Sequence, residues 1–293
     1  MRITKGSFWR SALRGSRGAL MHAKLAKPPR LGKGRIMHRA GLGTLYGLFL
    51  KANSREPSRK VYNILEAFKD YVIAVDRNID SAEFAPRQRA RFSGRDLRVI
   101  PEPRAEASEL RRMLDRAKLT PEQKKRVVRI IGEFRRKALA AAERTMQNPF
   151  AGKEEVLRGI EGTGGLFLAA ISEISSVCHG VGPEKALVSR KAFENFSNAL
   201  QIKDDIKDAP EDWGIRQNII ASISLEHPEE HRRLREKAAA GRNKKLSMKW
   251  LSANAPKTAA EAVRLFEQYT ARIPNTGATA EIKKACVDAF YGL

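Results

Sequence analysis

Apolar residues along this chain recur at helical rather than alternating spacing. Val61, Ile64, Leu65, Phe68, Val72 and Val75 fall on one stripe of period 3.6. Ser58, after Pro57, supplies an N-cap, and Pro86 forbids continuation, so a helix is predicted from there to about Phe84. Upstream, residues 36–52 (IMHRAGLGTLYGLFLKA) are apolar and spotted with glycine, which suits a tightly packed helix. An arginine-rich loop follows at about 85–103, then helices at about 105–117 and 121–146. The second of these opens on a Thr120-Pro121 cap signal, and Asn148-Pro149 marks the next turn. Residues 153–180 read as one long apolar helix. Pro183 opens another, ending near Ala209-Pro210. The segment 215–293 reads as three or four helices broken at Pro228, Gly241, Pro256 and Pro274. No internal repeat, strand alternation or dividing linker is present in the sequence. The expectation is an all-α domain over 36–293 behind an N-terminal tail, 1–35.

Composition agrees with helices. The chain has 293 residues, 42% hydrophobic and only 7% aromatic, enough for a sizeable core. Its two cysteines, Cys178 and Cys286, form neither a metal spacing nor a disulfide framework, so a reducing, cytoplasmic setting is expected. No run of 18 apolar residues exists in the sequence. Charge adds more. The formal net charge is +23, and residues 1–55 hold 13 Lys and Arg with no acid. FWRSALRGSRGALMHAKLAK interleaves Phe8, Trp9 and Leu13 with Arg and Lys. It reads as a solvated basic tail, with peripheral membrane contact or organelle targeting as the other readings.

Against that basic background, NALQIKDDIKDAPED (198–212) gathers Asp204, Asp205 and Asp208 on a half-apolar helix. Asp204 and Asp208, four residues apart, share a face about 6 Å apart along the axis, with Gln201 one turn earlier. Like charges so placed repel and resist desolvation, so something cationic must compensate, either Lys or Arg or a divalent ion. Oxygen-only ligands point to Mg2+ or Mn2+ rather than zinc. DYVIAVDRNID (70–80) repeats the arrangement with Asp76 and Asp80. Two such pairs facing one another could hold Mg2+ against a diphosphate leaving a carbon centre. Cys178 and His179 are neighbours, but adjacent helical residues point about 100° apart, so they form no catalytic dyad.

LQIKDDIKD resembles the second aspartate-rich motif of trans-polyprenyl diphosphate synthases. Asp204, Asp208, Glu211 and Asp212 also resemble the corresponding acids of squalene and phytoene synthases. GIEGTGGLFLAAISEISSVCHGVGPE resembles the helix these enzymes place before that motif, around Thr163-Gly164, and the 128 residues from Asp76 to Asp204 match the family spacing. The resemblance, over about 36–230, is to the class I isoprenoid synthases. It implies a helical bundle around a central cavity and an enzyme that ionises an allylic prenyl diphosphate with Mg2+, about three ions, or Mn2+. By the same resemblance Asp76, Asp80, Asp204 and Asp208 hold metal, with Asp205 as a secondary ligand or as the group that orients a basic residue. Thr163 and Phe167 contact substrate, Gln201 bonds either a carboxylate or the substrate, Arg77 and Arg216 either bind the diphosphate or pair with Asp80 or Asp212, and the cation sits beside Phe68, Val72 and Ser197. Homodimers are common in the family.

The departures are specific. The first motif reads DRNID, with Arg77 in the second place; Gly162 replaces the Lys expected before Thr163; LGKGRIMHR (Lys33, Arg35, Arg39) only loosely matches the isopentenyl diphosphate signature. No Arg-Arg-Gly follows the first motif, although Arg87, Arg89 and Arg91 lie close by. This pattern leans away from ordinary chain elongation and toward cyclisation, head-to-head condensation or another acceptor. Two alternatives stand beside it. One is an inactive regulatory subunit of a prenyl synthase. The other is a basic helical nucleic-acid binder, disfavoured because no recognition motif accompanies the charge.

Overall fold

A computed structural model of the chain describes residues 33–84, 100–241, 245–277 and 279–291, without the side chains of 33–40, 80–84, 146, 147, 163 and 164. The basic tail up to residue 32, and Arg87, Arg89 and Arg91, lie outside the described residues, as do the side chains of Lys33, Arg35 and Arg39. Among the described residues every regular element is helical. In chain order these are α1 (Lys33–Asn53), α2 (Arg59–Phe84), α3 (Arg104–Arg116), α4 (Pro121–Gln147), α5 (Lys153–Gly159), a π turn (Ile160–Gly164), α6 (Leu166–Cys178), α7 (Pro183–Asp212), α8 (Ile219–Ser224), α9 (Pro228–Ala239), α10 (Met248–Asn254), α11 (Pro256–Ala271) and α12 (Ala280–Tyr291).

Helix starts follow local chemistry. Thr120 accepts from the Gln123 amide while the Gln123 side chain accepts from the Thr120 amide, a reciprocal capping box in front of Pro121. Ser247 caps α10 and Asn218 caps α8. Side-chain bonds then fix helix directions. The Tyr46 hydroxyl, on α1, lies 2.7 Å from His179 Nε2 at the end of α6 and accepts from the Ser58 amide at the start of α2. Asn53 donates to Ser189 Oγ near the start of α7, and Gln123 donates to the Val177 carbonyl. One end of the bundle therefore collects the end of α1, the end of α6 and the starts of α2, α4 and α7. At the opposite end Asn78 of α2 donates to the Pro101 carbonyl before α3, and the Gln217 amide, just past α7, bonds the Thr145 carbonyl of α4. Helices α2, α4 and α7 thus run parallel, with α1, α3 and α6 antiparallel to them.

The core between the two ends is apolar and tightly packed. Phe68 of α2 meets Phe134 of α4 edge-on at 5.4 Å and stacks on Phe167 of α6 at 6.1 Å, all three being buried. Helix α6 packs against both α2 and α7. Its entry needs Gly165, where a Cβ would stand 2.6 Å from Glu194 Cγ and 3.1 Å from Glu194 Cα.

Three boundaries differ from the sequence reading. The helix expected over 153–180 is split by the π turn and Gly165. Four glycines in the seven residues 159–165 lower helix propensity where apolar continuity hides it. Helix α7 passes Pro210 and ends at Asp212. Ala209 and Pro210 are buried, and the Ile215 and Arg216 amides bond the Asp212 carbonyl, so packing holds a last turn that lacks one donor. Among the described residues of 215–291 there are five helices. The breaks fall where expected, but the six-residue, wholly buried α8 is too short to register as a period.

Candidate functional site

Because α2 and α7 run parallel, their two acidic stretches reach the same end of the bundle. Gly165 against Glu194, and Phe167 against Phe68, set a common level across α2, α6 and α7. Asp76 stands eight residues beyond Phe68 and Asp204 ten beyond Glu194, which is about 12 and 15 Å further along their axes. Buried Phe68 and Phe167 form an apolar layer at that common level, with buried Val72 one turn nearer the acidic end.

The individual side chains differ sharply in surroundings. Asp76 and Asp204 are half-buried and Arg77 is exposed. The side chains of Asp80 and Thr163 lie outside the described residues. Ser197 is half-buried, and Phe167 belongs to the buried core. Asp208 is 3% exposed, and its Oδ1 has no hydrogen-bond donor. Two ammonium groups approach that oxygen, Lys207 at 3.8 Å and Lys245 at 3.6 Å. Lys245 is held there because the Leu246 amide bonds the Lys207 carbonyl. Burial pushes the Lys207 pKa below its ordinary value, against the attraction of Asp208 and Asp204. Burial also lowers that of Lys203, which donates to the Ala289 carbonyl.

Asp205 has a different environment. It is buried, and both carboxylate oxygens are occupied: Oδ1 accepts from Gln201 Nε2 at 2.6 Å and Oδ2 from the Ile219 amide at 2.8 Å. Its backbone carbonyl accepts from Asn218 Nδ2 at 2.9 Å. Burial pushes its pKa up to about 7, opposed by the Ile219 bond and reinforced by Asp212 and Asp204. Asn218 also donates to Asp212 Oδ2 at 3.1 Å, while its own Oδ1 accepts from the Ile220 and Ala221 amides in the first turn of α8. Arg216 is buried, with Nε 3.4 Å from Asp212 Oδ1. Gln217 donates to Glu155 Oε1. The chain from Trp213 to Asn218 is therefore folded back onto the last turns of α7 by a buried polar network.

Sequence reasoning paired Gln201 with either a carboxylate or the substrate; here it donates to Asp205. It missed Asn218, although an Asn before the apolar run IIASIS is a cap signal. It also missed Lys245, which lies 37 positions from Asp208 and had no local signal. Among the described residues no three His, Cys, Asp or Glu side chains converge as a metal cluster. No helix among them is long and apolar enough to cross a membrane.

The fold has a known counterpart. The chain aligns with the crystal structure of geranylgeranyl pyrophosphate synthetase from Pyrococcus horikoshii Ot3, with a TM-score of 0.58 over 97% of each chain at 12% identity. The all-α architecture is similar to that of this synthetase, and at this identity the likeness concerns the fold alone. No protein-family model and no curated protein sequence matches the chain.

Proposed function

We propose that this chain is a Mg2+-dependent isoprenoid synthase that ionises an allylic prenyl diphosphate for prenyl transfer, condensation or cyclisation. The observation that carries this reading is the parallel course of α2 and α7, which brings two aspartate pairs to one end of a bundle, above an apolar layer, in a fold shared with a prenyl synthase. The residues present suit a hard divalent ion. They offer carboxylate oxygens alone, and the buried Asp208 Oδ1 lacks a hydrogen-bond donor. Asp76, Asp80, Asp204 and Asp208 would hold Mg2+, or Mn2+ in its place. Bound there, the metal would offset the charge that develops on the departing diphosphate. Arg216, and Arg77 on the other helix, would bind the same leaving group. Phe68, Val72 and Phe167 would keep water from the allylic cation.

The test is diphosphate release from geranyl, farnesyl and geranylgeranyl diphosphate with Mg2+, with and without isopentenyl diphosphate. Release without the acceptor, giving a hydrocarbon or alcohol, identifies a cyclase or condensing enzyme. Release only with it identifies an elongating synthase. Either activity should vanish in Asp204→Ala, and no release under any condition rejects the reading. One observation favours a second reading, a non-catalytic subunit that regulates an active synthase: Lys207 and Lys245 already approach Asp208, supplying positive charge from the protein itself. Stable association with an active synthase and no turnover alone would mark that case.

A further inference from the structure

Three aspartates crowd the end of α7, and their surroundings separate them. Asp204 is half-buried, and Asp208 has an oxygen without a hydrogen-bond donor. Asp205 is buried with both oxygens committed to protein donors, at 2.6 and 2.8 Å. Each Asp205 oxygen keeps a second lone pair, but an ion drawn there would compete with the buried Ile219 amide and with the half-buried Gln201 amide, and weakening the Ile219 bond would strand a buried donor. Those bonds belong to a connected set. Asn218 joins the Asp205 carbonyl to Asp212 Oδ2, and the Arg216 and Ile215 amides bond the Asp212 carbonyl. The Arg216 guanidinium stands beside Asp212 Oδ1. Asp205 is thus the point on α7 to which the returning turn, Trp213 to Asn218, is fastened from both its backbone and its side chain.

We infer that Asp205 is a positioning residue: it fastens the Trp213–Asn218 turn to α7, so fixing where Arg216 meets the leaving diphosphate, and it holds no metal. This rests on the function proposed above. It divides the motif into Asp204 and Asp208, which meet cation and substrate, and Asp205, which is held by protein donors and sets the geometry of the arginine.

Calorimetric titration of the full chain with MgCl2, and with inorganic pyrophosphate in the presence of MgCl2, separates the roles. Asp205→Asn should leave cation affinity within about threefold of wild type, the effect of removing one charge that neither touches the ion nor bonds one of its ligands. Pyrophosphate affinity should fall about tenfold, as in Arg216→Gln, and the double variant should be no weaker than Arg216→Gln alone. Hydrogen exchange should quicken at residues 213–221 and stay unchanged in α2. Loss of cation affinity equal to that of Asp204→Asn would overturn the inference, as would additive losses in the double variant. Wild-type protein that binds neither MgCl2 nor pyrophosphate would reject the proposed function instead. Exchange at 213–221 would then decide alone, and unchanged rates there would overturn the fastening role.

Discussion

The two ends of the helical bundle solve the problem of buried polar groups in opposite ways. At the end where α2, α4 and α7 begin, helices are joined by neutral side chains, Tyr46 with His179 and Ser58, Asn53 with Ser189 and Gln123 with the Val177 carbonyl, while the buried hydroxyls of Ser175 and Ser176 find no partner. Such bonds return roughly 1 kcal/mol each and fix helix register. At the other end, carboxylates and half-buried ammonium groups share the space, with an aspartate pKa raised to about 7 and lysine pKa values lowered. Buried charge without full pairing costs stability. These charges sit on α7, and Asp76 of the parallel α2 is half-buried at the same end. The neutral end serves the architecture.

Substitutions can break that contrast. The largest effect is expected from Asp204→Ala, which should reduce Mg2+-dependent diphosphate release about a thousandfold while a thermal melt barely moves. A melting loss comparable with a core mutation would make Asp204 structural. Phe68→Ala, in the layer between the ends, should cost about 3–5 kcal/mol in denaturant unfolding. A loss under about 1 kcal/mol would mean that the Phe134 and Phe167 contacts are loose. Gly165→Ala forces a methyl against Glu194 and should destabilise by roughly 1–3 kcal/mol. An unchanged melt would refute the close approach of α6 to α7.

The smallest effect concerns pH at the neutral end. Burial, aided by Arg55, lowers the His179 pKa from 6.5. The unfolded chain therefore takes up this proton before the folded one. Its contribution to stability is present above 6.5 and is lost as pH falls through the lower folded value. Melting temperature should decline with acidity in that window, and His179→Gln should flatten part of the slope. An identical slope in the variant would place the sensitivity elsewhere.

The same contrast explains what the sequence made legible. Ser58, Thr120-Pro121 and Pro183 mark helix starts because capping is local chemistry, and those boundaries fall within a residue or two of the structure. The glycine-rich split at 159–165 was hidden by flanking apolar residues. Both aspartate pairs could be found from their spacing, as could their placement on apolar helices. Which member of the Asp204, Asp205 and Asp208 set is held by donors of the following turn could not. That depends on a turn arriving from Asn218, and on Lys245 brought in by the Leu246 bond. A 3.6-residue period places neighbours around a helix but does not say which tertiary partners meet them.

The central claim is that the acidic ends of α2 and α7 act on one diphosphate. It is tested most directly by Mg2+-dependent diphosphate release from geranylgeranyl diphosphate in wild type, Asp76→Ala, Asp204→Ala and the double variant. The account predicts release by the wild type, near-complete loss in each single variant, and no further loss in the double variant, because the two helices form one working unit. Undiminished release in either single variant, or none from the wild type with any allylic substrate, would contradict it.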